Sequence, residues 1–243
     1  MLIRVAVFYI LAFVFTVALG GLQEAAQVSA QTIILAQCGP ALAALLMLLI
    51  FRKDGLRITF VERRTPAWRY ALAFAAPLAG GALVYGVYRL LFATSGGGAE
   101  SATPWRLLLW LPLGAIGEEL GWRGYLHKRL NGSPAGLLSS VLVGALWALW
   151  HVGMYPNGAL FMVFFVAQMM AYSVIIYALA KPAGFSVALA ALFHLGINVA
   201  GLFSFAYLNR PDYTLVSSLV WMLIAGAVVL TRKVQFLGAS GER

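Results

Sequence analysis

The chain has 243 residues, of which 62% are hydrophobic and only 10% charged, with a mean hydropathy of +0.88. A soluble domain carries about 25% charged residues, so this balance excludes an ordinary soluble fold and points to a polytopic membrane protein. Net charge is +9, from 17 Lys and Arg against 8 Asp and Glu; in a membrane protein the first question about such an excess is which face it lies on.

The apolar runs are continuous rather than alternating, which favours helices over a closed β-barrel. The expected fold is an all-α bundle of about eight transmembrane helices forming one domain over 1–243. The expected spans are 5–21, 31–51, 68–92, 105–126, 135–154, 159–180, 185–208 and 214–231. Each covers about 30 Å of hydrocarbon at ~1.5 Å rise per residue. Met1 to Arg4 followed by an apolar run ending Ala18-Leu19-Gly20 also fits a signal peptide, but an uncleaved first span is preferred because its basic lead is minimal. The second span holds Cys38, the only cysteine, which excludes an internal disulfide and a cysteine metal cluster. Ser95-Gly96-Gly97-Gly98 suggests a flexible outer loop, and Asn131-Gly132-Ser133-Pro134 a turn. Asn131-Gly132-Ser133 is also a glycosylation sequon, discounted because the turn falls in the cytoplasm.

Placing Arg4 inside and alternating puts Arg52, Lys53, Arg57, Arg63, Arg64, Arg69, Lys128, Arg129, Lys181, Arg232, Lys233 and Arg243 inside as well. Only Arg89, Arg106 and Arg210 lie near the outer face. This positive-inside pattern predicts cytoplasmic termini and accounts for the net charge by anionic lipid, so no nucleic-acid partner is needed.

The fourth span carries the exception. Gly117-Glu118-Glu119-Leu120-Gly121-Trp122-Arg123 puts two carboxylates and a guanidinium at bilayer depth, where each charge costs from ~3 kcal/mol upward. His151 lies on the fifth span, and His194 and Asn198 on the seventh. Measured along their helices, these groups stand about 14–24 Å from the inner face, heights that tilted spans can bring to one layer. Glu119 and Arg123 are four residues apart and can pair on one helix face, while Glu118 is turned ~100° away. His194 and Asn198 share a face by the same rule, as do Trp147 and His151. Gly117 and Gly121 form a small-xxx-small pair that admits a neighbouring helix. Bland alternatives stand beside each feature. They are a neutralised structural ion pair, a satisfied core histidine, and inter-helical hydrogen bonding by His194 and Asn198; the tryptophans and Met169-Met170 suit packing or lipid contact.

Glu118-Glu119-x-x-x-Arg123, Trp147-x-x-x-His151 and His194-x-x-x-Asn198 together resemble the three ordered motifs of the CAAX protease and bacteriocin-processing family of intramembrane endopeptidases. The resemblance spans a motif-bearing core at about 105–208, and the family usually has Phe where Trp147 stands. It implies an enzyme that hydrolyses peptide bonds of membrane-associated peptides or lipidated proteins. The partners implied are the substrate and the lipid bilayer, in a bacterial plasma membrane. On this reading Glu118 is the general base and His151 helps hold the water. His194 and Asn198 stabilise the oxyanion, while Glu119 and Arg123 fix the helix face. A metalloprotease version uses Glu118, His151 and His194 as ligands to Zn²⁺ with one open position, although no His-Glu-x-x-His helix is present. A proton-coupled transporter and a non-catalytic scaffold or immunity protein are the competing classes. The first lacks a visible inverted repeat; the second would not need every polar motif position filled.

Overall fold

The computed structural model describes residues 2–92, 103–131 and 136–237. The expected outer loop at Ser95–Gly98, most of the Asn131–Pro134 turn, and Arg243 lie outside the described residues. Among the described residues the chain is helical, with no strand.

The helices are α1 (Leu2–Ala25), α2 (Gly39–Ile50), α3 (Ala67–Phe92), α4 (Leu111–Glu119), α5 (Lys128–Leu130), α6 (Gly136–Trp150), α7 (Ala159–Ala180), α8 (Val187–Phe203), α9 (Pro211–Thr231) and α10 (Lys233–Leu237). By length and composition, α1, α3, α7 and α9 are apolar enough to cross a membrane, and α2, α6 and α8 belong to shorter apolar helices. Ile10, Val14 and Val17 on α1 are exposed, as are Leu219, Met222, Leu223 and Leu230 on α9. Apolar faces this extensive fit lipid rather than water, and the chain is an integral membrane protein. Expected span 105–126 is broken. A 3₁₀ turn (Trp105–Leu109) leads into α4, and a π-helix (Leu120–His127) carries α4 on to α5.

The chain divides into two compact units. The first contains Met1–Phe74, Pro104–Ser133 and Leu179–Leu195. In it, α2 lies against α1, α4 and the π-helix. Pro40 and Pro112 fall in the first turns of α2 and α4, where their missing N–H is no loss. Phe8 of α1 stacks on Tyr125 at 5.1 Å and meets Trp122 edge-on at 5.7 Å, burying the π-helix's aromatic rings. The start of α8 is held by an extended segment. Val187 N donates to Thr59 O and Ala188 N to Phe60 O, both at 2.9 Å, satisfying N–H groups that a helix start leaves orphaned. Lys128 Nζ fastens the same segment, donating to Arg57 O at 2.7 Å and Thr59 Oγ1 at 3.1 Å. Asp54 accepts from Arg4 at 2.6 Å and Arg129 at 2.9 Å, tying α1 to α5.

The second unit contains Ala75–Thr103, Pro134–Ala178 and Gly196–Arg243. Here α6 and α7 approach closely. A Cβ at Gly144 would stand 2.8 Å from Met169 O and 2.9 Å from Ser173 Cβ. Met169, Trp147 and Trp221 are buried, so these large side chains pack inside the protein. At one end, Asp212 takes a two-bond fork from Arg210, at 3.1 and 2.7 Å, and accepts from Tyr88 at 3.2 Å.

Candidate functional site

Four of the six predicted site residues lie in the first unit: Glu118, Glu119, Arg123 and His194. All four are buried, Glu119 and Arg123 completely. The i,i+4 pairing holds across the junction from α4 into the π-helix, with Arg123 Nη1 donating to Glu119 Oε1 at 2.8 Å. The same oxygen meets Nδ1 of His194 at 3.0 Å. A carboxylate paired with a guanidinium only accepts, so Nδ1 of His194 carries the proton, and Glu119 fixes both the ring's tautomer and its orientation.

Glu118 has different company. Its Oε1 accepts from Nε2 of Gln37 at 3.0 Å. Gln37 sits in a 3₁₀ turn (Leu35–Cys38) ahead of α2. Gln37 is not among the site residues expected from the sequence. The signal was an amide inside an apolar span.

The glycines explain how the turn comes so near. A Cβ at Gly114 would collide with the Gln37 amide, one at Gly117 would stand 2.9 Å from Gln37 O and 3.1 Å from Cys38 Cα, and one at Gly121 would strike Pro40. The small-xxx-small pair therefore performs its expected role, extended by Gly114. It seats residues 37–40 against the acidic helix. The wider π-helical turn begins immediately after Glu119; such insertions are rare and frequent at functional sites.

His151 and Asn198 lie in the second unit. His151 follows the last residue of α6 and caps the next 3₁₀ turn (Val152–Asn157). Its Nδ1 is 2.7 Å from Trp147 O, the residue one turn earlier that the motif pairs with it. A carbonyl only accepts, so Nδ1 is protonated, and in the neutral ring Nε2 is the basic nitrogen. Trp150 and Phe165 stand edge-on to the ring, at 5.0 and 5.4 Å between centroids. Asn198 lies on α8, which also carries His194 one turn earlier. Among the described residues, Asn198 Nδ2 is buried without a hydrogen-bond acceptor, so a donor is held ready. Among the described residues, no three His, Cys, Asp or Glu side chains are arranged to hold a metal ion.

Buried carboxylates, an imidazole whose tautomer is fixed and an unusual helix, in a chain built to sit in lipid, define a class: an all-helical integral membrane protein with a polar site inside its apolar body. The family model "Type II CAAX prenyl endopeptidase Rce1-like" matches residues 100–200, a stretch that includes all six motif residues. A CAAX prenyl protease 2 of Methanococcus maripaludis is 29% identical over 161 residues, covering 62% of this chain and 58% of that protein. The chain thus spans less than two thirds of the length of the curated relative it matches. The motif resemblance is borne out as a similarity: over the motif-bearing region the chain is similar to the CAAX proteases.

Proposed function

We propose that this protein is an intramembrane endopeptidase that hydrolyses a peptide bond with a glutamate-activated water. The observation that carries the reading is the different partnering of the adjacent acids. Glu119 pairs with Arg123 and orients His194, while Oε1 of Glu118 accepts from the Gln37 amide.

Glu118 takes a proton from water as the hydroxide oxygen bonds to the scissile carbonyl carbon, and the carbonyl electrons move onto oxygen. Asn198 Nδ2 donates to that oxyanion. His194 donates from Nε2, which requires the imidazolium form because Nδ1 already holds a proton for Glu119. The basic Nε2 of His151 accepts from the attacking water. As the tetrahedral intermediate collapses, the C–N bond breaks and Glu118 returns its proton to the leaving amine. The substrate class is a membrane-associated peptide or lipidated protein, with CAAX-type processing the leading case given the relative's printed name. The protein's termini are cytoplasmic.

Glu118→Gln keeps the shape and an acceptor for Gln37 but removes the base. It is expected to abolish cleavage of a reporter substrate while leaving expression and thermal unfolding unchanged. His151→Ala should do the same. Substrates captured by Glu118→Gln and sequenced by mass spectrometry then identify the scissile bond. Retained cleavage in Glu118→Gln overturns the glutamate chemistry. Stoichiometric zinc in the purified protein, with activity lost in chelator and restored by Zn²⁺, selects the metal version instead.

A further inference from the structure

A cleft of about 540 Å³ opens in the first unit, away from the acidic helix. Its volume falls among ligand-sized clefts, about 300–1,000 Å³. One side is formed by Glu62, Arg64, Thr65 and Arg69, the other by Pro182 and Gly184. Arg69 lies in the first turn of α3, and Pro182 and Gly184 immediately follow α7. Both helices are long enough to cross the bilayer, so their ends, and the cleft between them, lie at headgroup depth. The neighbouring side chains agree with that depth. Phe60, Val61 and Trp68 are 47, 52 and 62% exposed on the same stretch as the arginines, the mixture of aromatic and basic residues that marks a membrane interface.

The polar groups are set for an anion. Arg69 is anchored through Nη2, which donates to Leu179 O at 3.2 Å, so its guanidinium is held against the end of α7. Glu62 is the one carboxylate in the lining, and its Oε1 is engaged by the backbone N–H of Arg64 at 3.3 Å. Two guanidiniums therefore outweigh one acid. Ala73, Ala183 and Leu189, with Tyr70, Leu179 and Leu192, form a packed apolar cluster at the same helix ends, so the cleft stands on a firm base.

We infer that this cleft binds a phosphate group through Arg64 and Arg69, and that its ligand is the headgroup of an anionic phospholipid. Basic pockets between the ends of spanning helices recognise such headgroups, with each nearby Lys or Arg contributing roughly a fivefold change in binding. This assignment does not depend on the proposed proteolysis.

The test uses the full-length protein in mixed phosphatidylglycerol–phosphatidylcholine nanodiscs, with retained lipid counted by native mass spectrometry after transfer to neutral detergent. The protein is expected to retain phosphatidylglycerol in preference to phosphatidylcholine. Arg64→Gln should weaken that retention about fivefold, and the double substitution with Arg69→Gln further. Arg63→Gln, which removes an exposed arginine outside the lining, should change it little. Glu62→Gln keeps an acceptor for Arg64 N but removes the opposing charge, so it should strengthen retention; a merely unfolded cleft cannot give that sign. Equal losses in Arg63→Gln and Arg64→Gln, or no preference for the anionic lipid, overturn the site in favour of diffuse surface attraction. Binding of inorganic phosphate to lipid-free protein that Arg64→Gln abolishes, without retention of phosphatidylglycerol, supports the phosphate site but overturns its assignment to lipid.

Discussion

Glu118 and Glu119 are adjacent in sequence and need opposite tests. Glu119 is completely buried between Arg123 and His194, so removing it takes the ion-pair partner from a fully buried guanidinium. Breaking a buried pair in this way costs about 3–5 kcal/mol. Glu119→Ala is therefore expected to lower the thermal unfolding midpoint sharply in detergent, with lost activity following from lost fold. Gln37 is the contrasting case. Its amide donates to one oxygen of Glu118 at 3.0 Å, and a hydrogen bond to a charged group contributes about 1.5–3 kcal/mol. If that bond aims the base, Gln37→Leu should reduce kcat roughly 10- to 100-fold with the unfolding midpoint and KM little changed. A change in KM alone would show that Gln37 serves substrate binding instead. The pairing of Glu119 with Arg123 was legible from four-residue spacing. The pairing of Gln37 with Glu118 was not, because the two are 81 positions apart and only the folded turn brings them together.

At the level of elements, the long helices were the most legible, because a continuous apolar run of span length leaves the backbone no other way to satisfy its hydrogen bonds in lipid. Expected segments 68–92 and 159–180 agree closely with α3 and α7. The second expected span was less so: it begins with a turn and a four-residue 3₁₀ segment (Leu35–Cys38), and α2 starts only at Gly39. Pro40 carried that information, since proline is favoured in a first turn and disfavoured farther in. The π-helix had no such marker, because no proline separates it from α4. The glycine stripe opposite residues 37–40 shows what this packing demands. A Cβ at Gly121 would strike both the ring and the carbonyl of Pro40, which the backbone cannot yield cheaply. Gly121→Leu is expected to destabilise by about 1–3 kcal/mol or more through overpacking, seen as a lower unfolding midpoint. Gly226 on α9 meets nothing within 4 Å, so Gly226→Ala should be neutral or stabilise by up to about 1 kcal/mol. Equal losses from both would mean that the tight seat at Pro40 has no energetic weight.

For the whole molecule, the informative quantity is the distribution of charge rather than its total. With Arg4 inside, thirteen of the 17 Lys and Arg face the cytoplasm, three lie near the outer face, and Arg123 is consumed by Glu119. Orientation follows the Lys/Arg bias of short loops, so this asymmetry predicts one insertion direction. The folded loops give the bias structural employment as well. Arg4 and Arg129 share Asp54, and Lys128 pins the segment that starts α8, so the basic face also braces the helices that hold Glu119 and His194. A fluorescent protein fused after Arg243 should therefore mature and fluoresce, as it does only in the cytoplasm. Alkaline phosphatase inserted in the loop at 155–158 should be active, because that loop carries no Lys or Arg and is expected outside. The reverse pair of signals would invert the topology. It would also move the approach to the site to the other side of the membrane, because a substrate's polar segment must reach Glu118 from whichever face its own chain occupies.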